Sequence, residues 1–263
     1  DYTDEVTFAR LFPAMVRRGL RMQYQFLGYH DWSPALQWGI FAIHVNHVRF
    51  QTPPHPLYDT LRNLIGGRDH FVICSNVDGQ FANNGFDPQR LFTPQGDYAW
   101  LQCLKPCSEE VWPFEPILEK LLGAIDQESQ EITDPALIPR CPNCGGEVFL
   151  NVRGGDWFIE APYADQAERF ERWLTSARGG RLAVLEIGAG FNTPPVIRWP
   201  MEHITSTHPE AILIRINRDE PQVPREIADR AFSFGGDAQV ALRALEEGTL
   251  PRSRQTPGST RFS

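Results

Sequence analysis

The sequence predicts an α/β protein: a parallel β-sheet covered by helices on both faces, interrupted by a small cysteine-bearing module. Three short runs, His70–Cys74, Leu182–Ile187 and Ile212–Ile216, are almost wholly apolar and read as buried strands. Helical patterns or long crossovers separate them, as parallel pairing requires. Four of the five cysteines fall into two short-spaced pairs, in a stretch whose composition differs from its surroundings.

A chain of 263 residues, 41% hydrophobic and 11% aromatic, can bury a core without covalent staples. Its net charge of −8 argues against a non-specific nucleic-acid or anionic-membrane binder, since either needs a basic face. No apolar run reaches the roughly 18–20 residues of a membrane span. No secretory leader opens the sequence, and a cytoplasmic location is the expectation.

In chain order, Val6–Leu20 and Trp32–Val48 place apolar residues three and four apart and predict helices. Thr52–Pro56, with three prolines, breaks the pattern, and Leu57–Ile65 resumes it until Gly66-Gly67. The strand at His70–Cys74 follows. Residues 99–158 hold the paired cysteines and an acidic helix expected from Glu115 to Gln130, and read as an inserted zinc module. Asp165–Ala177 is an amphipathic helix, ahead of the strands at Leu182–Ile187 and Ile212–Ile216. Phe232–Phe234 is a short last strand and Ala238–Glu247 a last helix. Residues 251–263 are polar and aperiodic, and are expected to be a disordered tail. The sheet domain is thus built from residues 1–98 and 159–250, with an N-terminal helical part.

The pairs are Cys103-Leu104-Lys105-Pro106-Cys107 and Cys141-Pro142-Asn143-Cys144, with 33 residues between them. Two tight turns of this kind can close four thiolates around zinc. Four thiolates fill the tetrahedral shell and leave no place for an activated water, so such a zinc holds structure. Two disulfides are the competing reading and need an oxidising compartment. Cys74, inside an apolar run, reads as a buried core thiol.

In parallel sheets, ligands bind beyond the carboxyl ends of the strands. Ser75-Asn76-Val77-Asp78-Gly79 follows the first strand, Gly188-Ala189-Gly190-Phe191-Asn192-Thr193-Pro194 the second, and Asn217-Arg218-Asp219 the third. Small and amide-bearing residues therefore collect on one edge. Glycines at 188 and 190 let a ligand approach the backbone and accept its N–H groups. Each loop alone is also compatible with turn glycines and capping asparagines.

Taken in order, these motifs resemble those of the sirtuin family. Ser75-Asn76-Val77-Asp78 is similar to the family's Thr-Gln-Asn-Ile-Asp motif, and the four-cysteine module follows it. Gly188-Ala189-Gly190 resembles the glycine stretch after the next strand, Asn217 the later Ile-Asn motif, and Gly236-Asp237-Ala238 the loop near the adenine. The resemblance spans about residues 57–247. Phe86–Phe92, Gln95-Gly96-Asp97-Tyr98, Cys103–Cys107 and Phe191–Pro194 carry a closer match to the macrodomain-linked, class M sirtuins.

The resemblance implies a Rossmann-like, NAD-binding fold and an NAD-consuming transferase. It places Asn76 and Gln95 as catalytic residues beside the nicotinamide ribose, with Ser75 next to them. It places Asp78 on the nicotinamide carboxamide. Gly188, Ala189, Gly190, Asn192, Asn217 and Asp237 line the ribose and adenine end, and Cys103, Cys107, Cys141 and Cys144 hold zinc. It also implies a protein substrate, a lipoyl-carrier protein among the candidates, and a macrodomain hydrolase as functional partner.

Two departures matter. Sirtuin deacylases carry His-Gly where this chain has Gln95-Gly96. A primary amide has no useful basicity, so Gln95 cannot deprotonate a ribose hydroxyl. Class M members share this glutamine and are associated with protein ADP-ribosylation. A carboxylate acceptor, already ionised at neutral pH, needs no base, so Asp or Glu is the preferred acceptor and Lys the less preferred. Sirtuins also open with a Gly-Ala-Gly loop after an N-terminal strand. Neither is in this sequence, which starts Asp1-Tyr2-Thr3 like the tail of that segment. The sheet is accordingly expected to lack a central strand.

His44 and His47, three apart on an expected helix, offer half a metal face, but no third ligand follows; packing or surface roles are favoured. His203 and His208 are expected to be exposed. Gly-x-Ser-x-Gly is absent, which speaks against a serine hydrolase. A deacylase or NAD hydrolase, a Rossmann oxidoreductase and a catalytically impaired NAD-binding protein are the rival readings.

Overall fold

The computed structural model describes residues 4–27 and 31–249. Its helices are α1 (Glu5–Leu11), α2 (Pro13–Arg17), α3 (Tyr24–Leu27), α4 (Pro34–Val45), α5 (Pro56–Ile65), α6 (Gln80–Asn83), α7 (Glu115–Gly123), α8 (Ala164–Ser176), α9 (Arg198–Thr207) and α10 (Ala238–Glu246). Its strands are β1 (Val72–Ile73), β2 (Leu91–Phe92), β3 (Gly96–Cys103), β4 (Val111–Pro113), β5 (Val148–Val152), β6 (Leu182–Ile187), β7 (Ala211–Ile216) and β8 (Ala231–Phe234). The chain divides into two compact units. One holds the residues up to Pro53, Val77–Gln80 and Gly96–Pro162; the other holds Pro54–Asn76, Phe81–Gln95 and the residues from Tyr163 onward.

The first unit is built on an antiparallel sheet in the order β4-β3-β5. Its core joins Trp38, Phe41 and Val45 of α4 to Leu101, Phe114, Leu121 and Leu150. The N-terminal helical part, expected with the Rossmann-like sheet, thus packs with the zinc module. The reason lies in α4, whose aromatic face meets buried apolar residues of β3 and β5. A second cluster gathers Phe8, Phe12, Met15 and Phe26 against Leu36 and Ile40 of the same helix.

Three helices differ from their sequence patterns. The helix expected over Val6–Leu20 is split into α1 and α2 at Phe12, because Pro13 cannot donate the next N–H and instead opens α2. The Trp32–Val48 helix begins at Pro34, with Ser33 Oγ accepting Leu36 N–H at 3.2 Å. It ends in a π-helical turn over Asn46–Phe50. The helix expected to Gln130 stops at Gly123, and the chain folds back so that Ile125 pairs with Ile132.

The second unit carries two parallel sheets, β1-β2 and β6-β7-β8. Alternate residues of β6 and β7 are buried, with Leu182, Val184, Ala211 and Leu213 in one core cluster beside Ile204 of α9. Sequence periodicity had not identified α9, whose Arg198-Trp199-Pro200 start hides its apolar face. Leu61, Phe86, Ile216, Ala241 and Leu242 form the other cluster, joining α5 to α10. Among the described residues β1 pairs only with β2, and β6 only with β7. A cavity of about 390 Å³ lies between them, lined by the consecutive runs His70–Asn76 and Leu182–Ala189 and by side chains such as Phe170, Trp173 and Met201. No helix among the described residues is long and apolar enough to cross a membrane. The expected tail at 251–263 lies outside the described residues.

Candidate functional site

The paired cysteines meet at one end of β3 and β5. Cys103 closes β3, and Cys141–Cys144 is a tight turn in which Cys141 O accepts Gly145 N–H at 2.8 Å. Cys103 Sγ lies 3.7 Å from Cys144 Sγ, and Cys107 Sγ lies 3.6 Å from Cys141 Sγ. All four sulfurs fall within 4.8 Å of one another. Zinc–sulfur bonds of about 2.3 Å at tetrahedral angles separate the sulfurs by about 3.8 Å, so the spacing fits zinc. It is too wide for a disulfide, which needs about 2.05 Å. Cys141 and Cys144 hold the Cys107 thiol's proton, pushing its pKa up to about 12; a divalent cation resolves that competition by taking all four as thiolates. Among the described residues this is the only group of three or more such side chains close enough to share an ion. His44 is instead fully buried with its ring edge-on to Tyr98 at 5.2 Å. Burial lowers its pKa to about 3.

In the second unit, the loops leaving β6 and β7 are stapled together. Asn217 is buried; its Nδ2 donates to Ala189 O at 3.0 Å, and its Oδ1 accepts Asp219 and Glu220 N–H at 3.1 and 2.9 Å. A Glu220 carboxylate oxygen accepts Phe191 N–H at 2.9 Å and lies 2.5 Å from where a Cβ on Gly190 would sit. A side chain at 190 would displace that carboxylate from Phe191 N–H. Gly188 has φ +70, which turns the chain sharply out of β6. Gly188, Ala189, Gly190 and Asn217 are therefore brought together. Ser75 and Asn76, after β1, line the same cavity as Gly188 and Ala189.

The remaining predicted residues of this unit stand differently. Asn192 is exposed on the β6 loop. Asp237 caps α10, accepting Gln239 and Val240 N–H at 2.9 and 3.1 Å. Gln95 is half-buried in the turn that precedes β3. Cys74, expected in the core, is half-buried on the cavity wall. His208, expected at the surface, is buried with Nε2 3.0 Å from Ala177 O.

A buried charge network supports the loops and was not read from the sequence. Arg215 pairs with Glu186 through Nε and Nη2 at 2.6 and 2.8 Å and with Glu202 at 2.8 Å. Burial pushes Glu186 up, against the pull of Arg215. Arg198, 2% exposed, donates to Ala189 O and Glu220 O at 3.0 Å and to Gln222 O at 2.7 Å. One charge in each of two apolar strands, of opposite sign, was the available signal, since Glu186 and Arg215 are direct partners in the β6–β7 register.

Asp78 belongs to the first unit, in the turn Val77–Gln80. Its Oδ1 accepts Gln80 N–H at 3.1 Å. Burial, with Asp97 adding to it and Arg49 opposing, holds its carboxyl above the usual range.

No family model matches the chain. It is 38% identical over 258 residues to a protein of Fusarium oxysporum f. sp. cubense named "Probable bifunctional ADP-ribose hydrolase/ADP-ribosyltransferase", covering 94% of this chain and 43% of that one. It is 26% identical over 217 residues to a "Protein ADP-ribosyltransferase" of Staphylococcus aureus, covering 81% of this chain and 67% of the relative. The chain thus spans under half the length of the first relative. Among solved structures, a Sir2 homologue–NAD complex matches with a TM-score of 0.55 at 18% identity, over 82% of this chain and 72% of that one. A structure concerned with sirtuin substrate affinity matches with a TM-score of 0.52 at 16% identity, over 93% and 83%. The chain thus shares the fold of the solved Sir2 structures, and its curated relatives are named ADP-ribosyltransferases.

Proposed function

We propose that the protein transfers ADP-ribose from NAD to a side chain of another protein and releases nicotinamide. The observation that carries this is the pair of stapled loops beyond β6 and β7, whose Gly188 and Ala189 line one cavity with Ser75 and Asn76. The names of the curated relatives supply the reaction type. In this reading Asn76 and Gln95 hold the ribose hydroxyls and orient the acceptor, with Ser75 beside them. Asp78 reads the nicotinamide carboxamide. Gly188, Ala189, Gly190, Asn192, Asn217 and Asp237 take the ribose and adenine end, where neutral backbone groups suit a polar ligand.

The bond from nicotinamide nitrogen to the ribose anomeric carbon breaks, and nicotinamide leaves neutral, so no strong acid is needed. An acceptor carboxylate oxygen forms the new bond to that carbon. The protein's part is to orient the ring, exclude water and stabilise positive charge on the sugar. Gln95 offers hydrogen bonds and no base, which favours Asp or Glu over Lys as acceptor and disfavours deacylation. The four-cysteine zinc holds the first unit together and takes no step in the transfer.

A lipoyl-carrier protein is the proposed substrate. A macrodomain hydrolase is the proposed partner, consistent with a relative whose name joins hydrolase and transferase in one protein. The slot between β1 and β6 is lined by Ser75, Asn76, Gly188 and Ala189, and the protein is assayed directly. Incubated with NAD and a lipoyl carrier, it adds the mass of one ADP-ribose to the carrier. Nicotinamide release with a deacylated peptide and no protein adduct would overturn the reading in favour of a deacylase.

A further inference from the structure

The turn that carries Asp78 is clamped by residues to which nothing above gives a role. Its Val77 O accepts Tyr98 N–H at 2.9 Å, which ties one end to β3. At its other end Gln80 Nε2 donates to Val48 O at 3.3 Å. Val48 can accept because it lies in the π-helical turn Asn46–Phe50, where Gln51 N–H reaches back five residues to Asn46 O at 2.8 Å. That widening frees carbonyls from the ordinary ladder, and Thr52 Oγ1 takes up His47 O and Val48 O at 2.8 and 3.1 Å. Single π-helical turns are strained and are found disproportionately at functional sites.

The same turn delivers Arg49. Its guanidinium lies flat on Gly79, where a Cβ would stand 2.3 Å from Arg49 Cζ. Gly79 has φ +65, so only glycine suits both the backbone and the stacked guanidinium. Asp97 fixes the guanidinium from behind, accepting Nε at 2.6 Å and Nη2 at 3.2 Å, while its Oδ1 also accepts Ala99 N–H at 2.7 Å. Both side chains are mostly buried, at 16% and 17% exposed. A bidentate fork of this kind sets an angle as well as a distance. Asp97 is thereby aligned by β3, Arg49 by Asp97, and the peptide after Asp78 by Arg49.

We propose that Arg49, held by Asp97, is a positioning residue that fixes the Asp78 turn for nicotinamide recognition. The inference rests on the reading of Asp78 as the group that binds the carboxamide. Arg49 touches neither nicotinamide nor ribose in this assignment. It removes the freedom of the Asp78–Gly79 peptide, so that the carboxylate meets the amide without first paying to order the loop.

The test uses the protein and the variants Arg49→Lys and Asp97→Asn, which keep size and burial but lose the bidentate fork. Hydrogen exchange at the Gly79 and Gln80 amides is expected to quicken in both, while amides of β5 stay protected. Half-inhibition by free nicotinamide is expected to need about tenfold more ligand, equivalent to about 1.4 kcal/mol. Affinity for ADP-ribose, which lacks the carboxamide, is expected to change less than about twofold, a few tenths of a kcal/mol. Equal weakening for both ligands would reduce the pair to general scaffolding and overturn the proposal. If the wild-type protein responds to nicotinamide and Arg49→Lys matches it, the proposal alone falls. If the wild-type protein binds ADP-ribose and ignores nicotinamide, the role of Asp78 falls and the positioning role with it.

Discussion

His44 shows how one buried side chain couples stability to acidity. It is fully buried, and burial lowers its pKa from 6.5 to about 3. The unfolded chain therefore binds a proton that the folded chain refuses, and only between those two values. Stability from this residue is complete above about pH 6.5 and drains away as pH falls toward about 3. Urea unfolding at pH 7 and pH 5.5 should show about 1 kcal/mol of loss that disappears in His44→Phe. An identical pH dependence in that variant would remove His44 as the cause. Arg215 poses the opposite problem, a charge that must stay paired. It and Glu186 are fully buried and bridged twice, so Arg215→Met should cost about 3–5 kcal/mol by stranding Glu186. Adding Glu186→Leu should recover most of that loss, read as the midpoint of urea unfolding. Failure of the double variant to recover would show that Glu202 or the loop carbonyls carry the penalty instead.

Among the elements, those governed by local pattern were legible in the sequence. Strand β6 matches its apolar run, and α5, α8 and α10 start or stop within a residue of the predicted bounds. Elements decided by distant partners were not. Strands β3 and β5 alternate weakly and are fixed by pairing across the module, with Leu101 opposite Leu150 and Gln102 opposite Phe149. The π-helical turn leaves no pattern at all, since it is defined by which carbonyl Gln51 reaches. The cysteine pairs were the clearest sign of the module, because ligand spacing is a local property even when the site closes over 30 intervening residues. Elemental analysis should find one zinc per chain. A strong chelator or Cys141→Ser should melt β3–β5, since zinc binding to such ligands is worth about 10 kcal/mol or more. A circular dichroism spectrum and melting temperature unchanged by chelation would rule out a structural ion.

At the scale of the whole molecule, the candidate site was legible as a set of loops but not as a set of supports. Strand-end chemistry pointed to Asn76, Gly188 and Asn217, because parallel sheets gather their carboxyl ends. The side chains that hold those loops, Arg198 and Glu220, come from the start of α9 and from the bend after Asn217, where charge looks solvated on paper. Both are fixed by backbone carbonyls or amides that no pattern of residue types records. The site's precision is thus a property of the folded unit, and the sequence shows only its chemistry.

The slot beside β6 has a consequence for what binds there. Peptide groups along an uncovered β rim will pair with whatever extended chain reaches them, and this rim opens onto greasy walls. An added extended peptide is therefore expected to seat along that rim, and slowed hydrogen exchange at the β6 amides would register it.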